Sequence, residues 1–266
     1  MAGNYLELSY TQVAISISLV ILNAVISIFL KLGLEKSLVL ASFRMIIQLF
    51  FLGLILNWVF AQQSLLIVFS LCLLMTLIAS HTATSRTKKI YNGIFIDSFI
   101  SIFIGAWSMS AFMIFFINKA NPWYTPSYII PLIGMVLGNS FSGVAITIDR
   151  LTESLQKNKD KIETFLSLGS TSWEAVNDSL KESIRAGILP NINSMMAAGI
   201  VNIPGMMTGQ VLSGISPFNA AKYQVIIFLL ISSGTYLGSI ASVLLCYRRI
   251  FDINHQFNFH LLTNKK

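Results

Sequence analysis

Two charged side chains stand inside stretches that are otherwise apolar, Arg44 and Asp97. A charge at hydrocarbon depth is costly, so such residues are paired, functional or reach back to the headgroups along their own stems. The two lie at similar depth near the starts of their runs. An intramembrane Arg44–Asp97 pair is therefore expected, with snorkelling of both as the alternative. A second constellation lies between residues 189 and 212. Stepping 100° per residue places Met195, Gly199, Asn202, Met206 and Gln210 on one side of a helix. Pro204 has no N–H and strains the turn before it, so a kink near Ile200 is expected, with a carbonyl left free. Neutral oxygens from Asn202, Gln210 and that carbonyl, with weak sulfur from Met195 and Met206, suit passage of a metal better than tight retention. Met195, Asn202, Pro204, Met206 and Gln210 are thus candidates for a translocation pathway. Packing against a neighbouring helix, which Gly199 and Gly209 also suit, is the alternative. Met195, Met196, Met206 and Met207 could all be soft metal ligands, but flexible apolar filling is the preferred reading of the four, and Gly134 and Gly138 read as a helix-packing pair.

Chemistry of other kinds is absent from the sequence. It contains no G-x4-G-K-[ST] phosphate loop and no H-E-x-x-H. The histidines, His81, His255 and His260, sit at or beyond the ends of apolar runs, so no His metal cluster is expected within the membrane. The serines have no His/Asp partners in reach. No enzyme activity and no bound cofactor are expected, and the metal ligands, if any, stay undetermined.

The elements that must hold these residues follow from composition. Of 266 residues, 55% are hydrophobic and only 11% charged, with a mean hydropathy of +0.72. A soluble domain carries about 25% charged residues. A soluble enzyme, a nucleic-acid module and a disordered chain are excluded, and no nucleic-acid partner is expected. The net charge of +7 concerns anionic lipid instead. Cys72 and Cys246 lie in apolar runs and read as small buried hydrophobes. The start, MAGNYLELSY, has no basic n-region, so a true first span is expected rather than a cleaved signal.

A bilayer core of about 30 Å takes about 20 helical residues to cross. Seven stretches qualify, approximately 11–30, 38–60, 64–80, 94–117, 127–148, 189–212 and 223–247. The sixth is the most polar. With the N-terminus outside, fifteen Lys and Arg side chains fall inside and only Lys119 and Lys222 outside. The positive-inside rule then favours an all-α, single-domain, multi-pass chain over 1–266, N-terminus out and C-terminus in, in the cell membrane.

The polar stretch 149–188 holds 13 of the 29 charged residues. Within it, Asp160–Leu168 has Ile162, Phe165 and Leu166 at helical spacing, and Gly169 has the character of a helix stop. Thr171 and Glu174 have capping-box spacing, opening a second helix through Trp173, Val176, Leu180 and Ile184. This is either an interfacial linker or a cytoplasmic knob that docks into a partner.

Glu163-x5-Gly169 resembles the core of the EAA signature of ABC-transporter permease subunits. Its two alanines are here Thr164 and Phe165, and Leu189-Pro190 comes later than in importers. The chain as a whole resembles the bacterial iron-export permeases, a family that includes plant aluminium-sensitivity proteins. The resemblance rests on Arg44-x3-Gln48-Leu49, Ile130–Asn139, Phe165–Ala175 and Leu189–Gln210, then Pro217 and Tyr223-Gln224. It implies a membrane subunit that exports its substrate, reported as iron in bacteria, and couples through Glu163, Phe165 and Gly169 to a separate ATP-binding cassette subunit. ATP would be used by that partner, and two copies of this chain would surround the path. A stand-alone secondary transporter or channel is the alternative. It calls for broken helices at matching positions in both halves, and only the sixth span is visibly broken.

Overall fold

The computed structural model describes residues 9–87, 89–117, 122–252, 256–261 and 263–264. Lys88, Lys119, His255, Lys265 and Lys266 lie outside the described residues. Among those described, the chain forms α1 (Tyr10–Phe29), α2 (Glu35–Gln62), α3 (Leu65–Arg86), α4 (Ile94–Phe112), α5 (Pro126–Lys157), α6 (Lys159–Ser167), α7 (Ser172–Ala197), α8 (Gly205–Leu212) and α9 (Pro217–Ile250). A five-residue π turn, Met113–Ile117, prolongs α4. A short antiparallel pair, β1 (Lys89–Ile90) with β2 (Thr263–Asn264), ties the chain's last described residues to the α3–α4 connection.

Six helices, α1 to α5 and α9, are long and apolar enough to cross a membrane. The protein is therefore an all-helical, multi-pass membrane protein. At 1.5 Å per residue, the 32-residue α5 runs about 48 Å, well beyond a hydrocarbon core. Hence 149–157 is the projecting end of α5, and 172–188 is the first part of α7. The polar stretch is mostly continuous helix rather than loop. The expected span 189–212 is corrected too. Its helix begins far upstream at Ser172 and ends at Ala197, and the backbone turns over 198–204 before α8. Pro204 caps α8 instead of kinking a continuous helix, and Gly199 adopts a φ of +80°, which a side chain would disfavour. The Gly199 N–H, turned out of the helix, donates to the Asn202 carbonyl at 2.9 Å.

The bundle centres on α4, α5 and α9, with α3 packed on α4 and α5, and α7 on α5 and α9. Without a hydrophobic drive between helices in lipid, close backbone approach and dispersion hold them together. The residues that permit it are small. A Cβ on Gly105 of α4 would overlap the Gly234 carbonyl of α9, and one on Gly187 of α7 would lie 2.7 Å from the Gly143 carbonyl of α5. The expected packing pair behaves differently: Gly138 faces open space and Gly134 meets only the Met75 side chain. By contrast, α1 and α2 pack chiefly on each other, and α2 is exposed along most of its length.

Candidate functional site

One end of the bundle carries the α6 turn. Ile162 is buried and anchors α6, while Phe165, Leu168 and Trp173 face outward, Leu168 being 78% exposed. Glu163 lies 3.7 Å from Lys159 on the exposed side. The helix stops in a Schellman arrangement: Ser170 N–H donates to the Phe165 carbonyl and Gly169 N–H to the Leu166 carbonyl. Gly169, at φ +90°, is the residue this geometry requires. The next helix opens on the expected capping box. Thr171 Oγ1 accepts from Glu174 N–H, and Glu174 Oε2 accepts from Thr171 N–H at 2.9 Å and its hydroxyl at 2.8 Å. Those bonds, the backbone one foremost, hold the Glu174 carboxyl below the usual carboxylate range.

Residues far along the chain brace this turn. Ser172 Oγ and Tyr247 Oη are 2.6 Å apart, and the Trp173 ring meets the Tyr247 ring edge-on. Tyr247 continues into a ladder of rings through Phe251, Phe257 and Phe259, and Lys159 sits 4.6 Å over the Phe259 ring. Nothing in the local pattern distinguishes Tyr247 from any aromatic near a membrane surface, so the sequence reading missed it. Glu163, Phe165 and Gly169 thus lie on one braced knob, together with Leu168 and Trp173.

The expected Arg44–Asp97 pair does not form. Asp97 is buried in the first turn of α4, and its Oδ2 accepts from Arg249 Nε at 2.6 Å. Arg44 lies exposed on α2. The reason is adjacency: α4 packs against α3, α5 and α9, whereas α2 stands with α1. Gly93, just before α4, leaves the space that the Arg249 guanidinium fills. Among the described residues no group of three or more His, Cys, Asp and Glu side chains could hold a metal ion.

The pathway candidates divide at the 198–204 turn. Met195 is half-buried near the end of α7, and Asn202 is exposed in the turn itself. Pro204 starts α8. Met206 and Gln210, one turn apart on α8, both line a cavity of about 280 Å³. Met113 lines it from the π turn that follows α4, Ser127, Tyr128, Pro131 and Met135 from α5, and Tyr223 from α9. Since the helix does not continue through 198–204, the single face expected for all of them does not exist. The cavity lies at the end of the bundle opposite α6, because the end of α4 and the starts of α5 and α9 meet there.

The family described as "Uncharacterised protein family (UPF0014)" matches residues 10–251. Curated relatives extend over nearly the same length. The chain is 32% identical to the "Probable iron export permease protein FetB" of Escherichia coli, covering 96% of each chain. It is 34% identical to the "UPF0014 membrane protein slr1647" of Synechocystis, covering 85% of this chain and 87% of that one. It is 27% identical to the "Protein ALUMINUM SENSITIVE 3" of Arabidopsis thaliana, covering 94% of this chain and 90% of that one. No solved structure matches the chain.

Proposed function

The chain belongs to the UPF0014 family of membrane proteins, and from that premise we propose that it is the membrane-spanning subunit of an ATP-driven exporter of iron or another metal ion. The observation that carries this reading is the α6 knob. A short amphipathic helix closed by a glycine turn and a capping box presents Phe165, Leu168 and Trp173 outward. Exposed aromatics held on a rigid support fit a surface that docks into a partner. The chain has no phosphate loop, so ATP is bound and hydrolysed by that partner, an ATP-binding cassette subunit. Motion of the partner reaches the bundle through Glu163, Phe165 and Gly169, with α5 and α7 as levers.

The orientation places the N-terminus outside and the C-terminus inside the cell membrane. In this reading α7, the 198–204 turn and α8 make a seventh, discontinuous crossing, since they join the α6 end of the bundle to the start of α9 at the other. Irregular backbone at membrane depth is tolerated only against protein or a watery cavity. Ile200, Val201 and Asn202 are exposed on a single protomer, which favours a second copy of the chain facing this turn across a shared path. Met195, Asn202 and Pro204 then line the path at the turn, and Met206 and Gln210 at its outer end.

Affinity capture of the chain from its own membranes tests the proposal. An ATP-binding subunit should accompany the wild type and be lost from Phe165→Asp and Gly169→Val, both of which leave every crossing untouched. Equal recovery with all three forms, or no such subunit with the wild type, contradicts it.

A further inference from the structure

We infer that the cavity between α4, α5, α8 and α9 is a binding site for a soft monovalent cation, of the class of Cu(I) and Ag(I). The inference deepens the metal-export reading by naming a class of ion, and it rests on that reading only for the site's use in transport.

Three of the ten methionines meet at this cavity although they are far apart in sequence, Met113, Met135 and Met206. Oxygen acceptors lie beside them. Gln210 Oε1 is buried and has no hydrogen-bond partner among the described residues. Ser127 also lines the cavity, and the residue four positions on is Pro131, which has no N–H to offer the Ser127 carbonyl. The π turn begins at Met113, on the same wall. Such turns interrupt regular helix bonding and recur at functional sites.

The donor set is wholly neutral, and that decides the ion. Calcium and magnesium take charged carboxylates, and none of the described residues lining this cavity carries one. Zinc and nickel favour imidazole or thiolate, and no described residue of the lining supplies either. Thioether sulfur is polarisable and weakly basic, so it prefers soft ions. Charge reinforces the choice, because Born desolvation scales with charge squared and costs a divalent ion about four times as much as a monovalent one of similar size. Simple apolar filling accounts for the methionines but not for the Gln210 acceptor that stands beside them without a partner among the described residues. A cation held by sulfur and completed by oxygen accounts for both. The available volume of about 280 Å³ admits an ion that keeps part of its hydration.

The test uses full-length protein in detergent, with Cys72→Ala and Cys246→Ala so that no thiol competes. Equilibrium dialysis against Ag(I), and against Cu(I) under reducing conditions, is compared with Zn(II) and Mg(II). One Ag(I) per chain is expected, with no matching uptake of Mg(II). Met113→Leu and Met135→Leu, which nearly conserve volume, should each weaken Ag(I) binding at least tenfold. Met206→Leu, on the less buried α8, should do the same and guards against misfolding of the first two. Met196→Leu, an exposed methionine away from the cavity, should change nothing. Undiminished Ag(I) binding in the triple Met→Leu variant overturns the site, as does equal binding of Mg(II) that depends on the same methionines. If this binding holds while ATP-driven export fails, the transport reading falls and the site stands. Export without methionine-dependent binding removes the site alone.

Discussion

Gly105→Ala is the sharpest perturbation of the bundle, because the atoms it meets are all backbone. The added methyl would overlap the Gly234 carbonyl oxygen and sit 3.1 Å from the Gly238 nitrogen and 3.2 Å from the Gly234 carbonyl carbon. No rotamer change relieves that. Restoring ordinary contact separates α4 from α9 by about 1 Å, a gap at which dispersion contacts lose about a quarter to a half of their strength. Overpacking of this kind costs about 1–3 kcal/mol, and an all-backbone neighbour puts it at the upper end, about 3. Alanine recovers about 1 kcal/mol of helix propensity over glycine. The net loss is about 2 kcal/mol, or about thirtyfold in the folded-to-unfolded ratio. Gly138→Ala is the matched control: it meets nothing within 4 Å and keeps the propensity gain alone. Reversible unfolding in mixed micelles by titration with denaturing detergent should rank Gly138→Ala above wild type and wild type above Gly105→Ala. Equal stability of the two variants would refute the α4–α9 packing described here.

The Asp97–Arg249 pair should respond asymmetrically. Arg249→Gln strands a buried carboxylate and should cost about 3–5 kcal/mol, whereas Asp97→Asn leaves a partly exposed guanidinium and should cost only about 1–3. Arg44→Gln should be near neutral in the same unfolding assay, and a loss as large as that of Arg249→Gln would restore the abandoned pairing. The Glu174 cap should weaken with acid. Its folded pKa lies below the unfolded value of about 4.3, so its stabilisation is fully present above that value and is lost as pH falls through the folded one. The stability difference between wild type and Glu174→Ala should therefore shrink below about pH 4.3, and a difference constant down to pH 2 would show that the cap does not depend on the charge.

What was legible in the sequence was local. Asp160–Leu168, Gly169 and the Thr171–Glu174 spacing each act within one or two turns, and α6, its Schellman turn and the capping box follow them closely. Pro204 likewise marked the place where helix geometry fails, at 198–204. The 100° step does not carry through that break, which is why Met206 and Gln210 share a cavity without Met195 or Asn202. Partners across the bundle were not legible. Asp97 found Arg249 rather than Arg44 because α9, not α2, lies beside α4. The Gly134–Gly138 spacing named a helix face but not what stands opposite it. The tight contacts belong to Gly105, Gly143, Gly187 and Gly234, each close to a distant part of the chain, and only Gly234 carries the same spacing, with Gly238 four residues on along α9.

The claim that ATP hydrolysis in a partner drives metal export through this chain is met most directly in everted membrane vesicles from cells that express it. Uptake of Ag(I), and more weakly of Fe(II), into such vesicles should require Mg-ATP, stop with vanadate, survive a protonophore and vanish in Gly169→Val. Uptake that proceeds without ATP, collapses with the protonophore and is unchanged in Gly169→Val would contradict the account and identify a transporter that works alone.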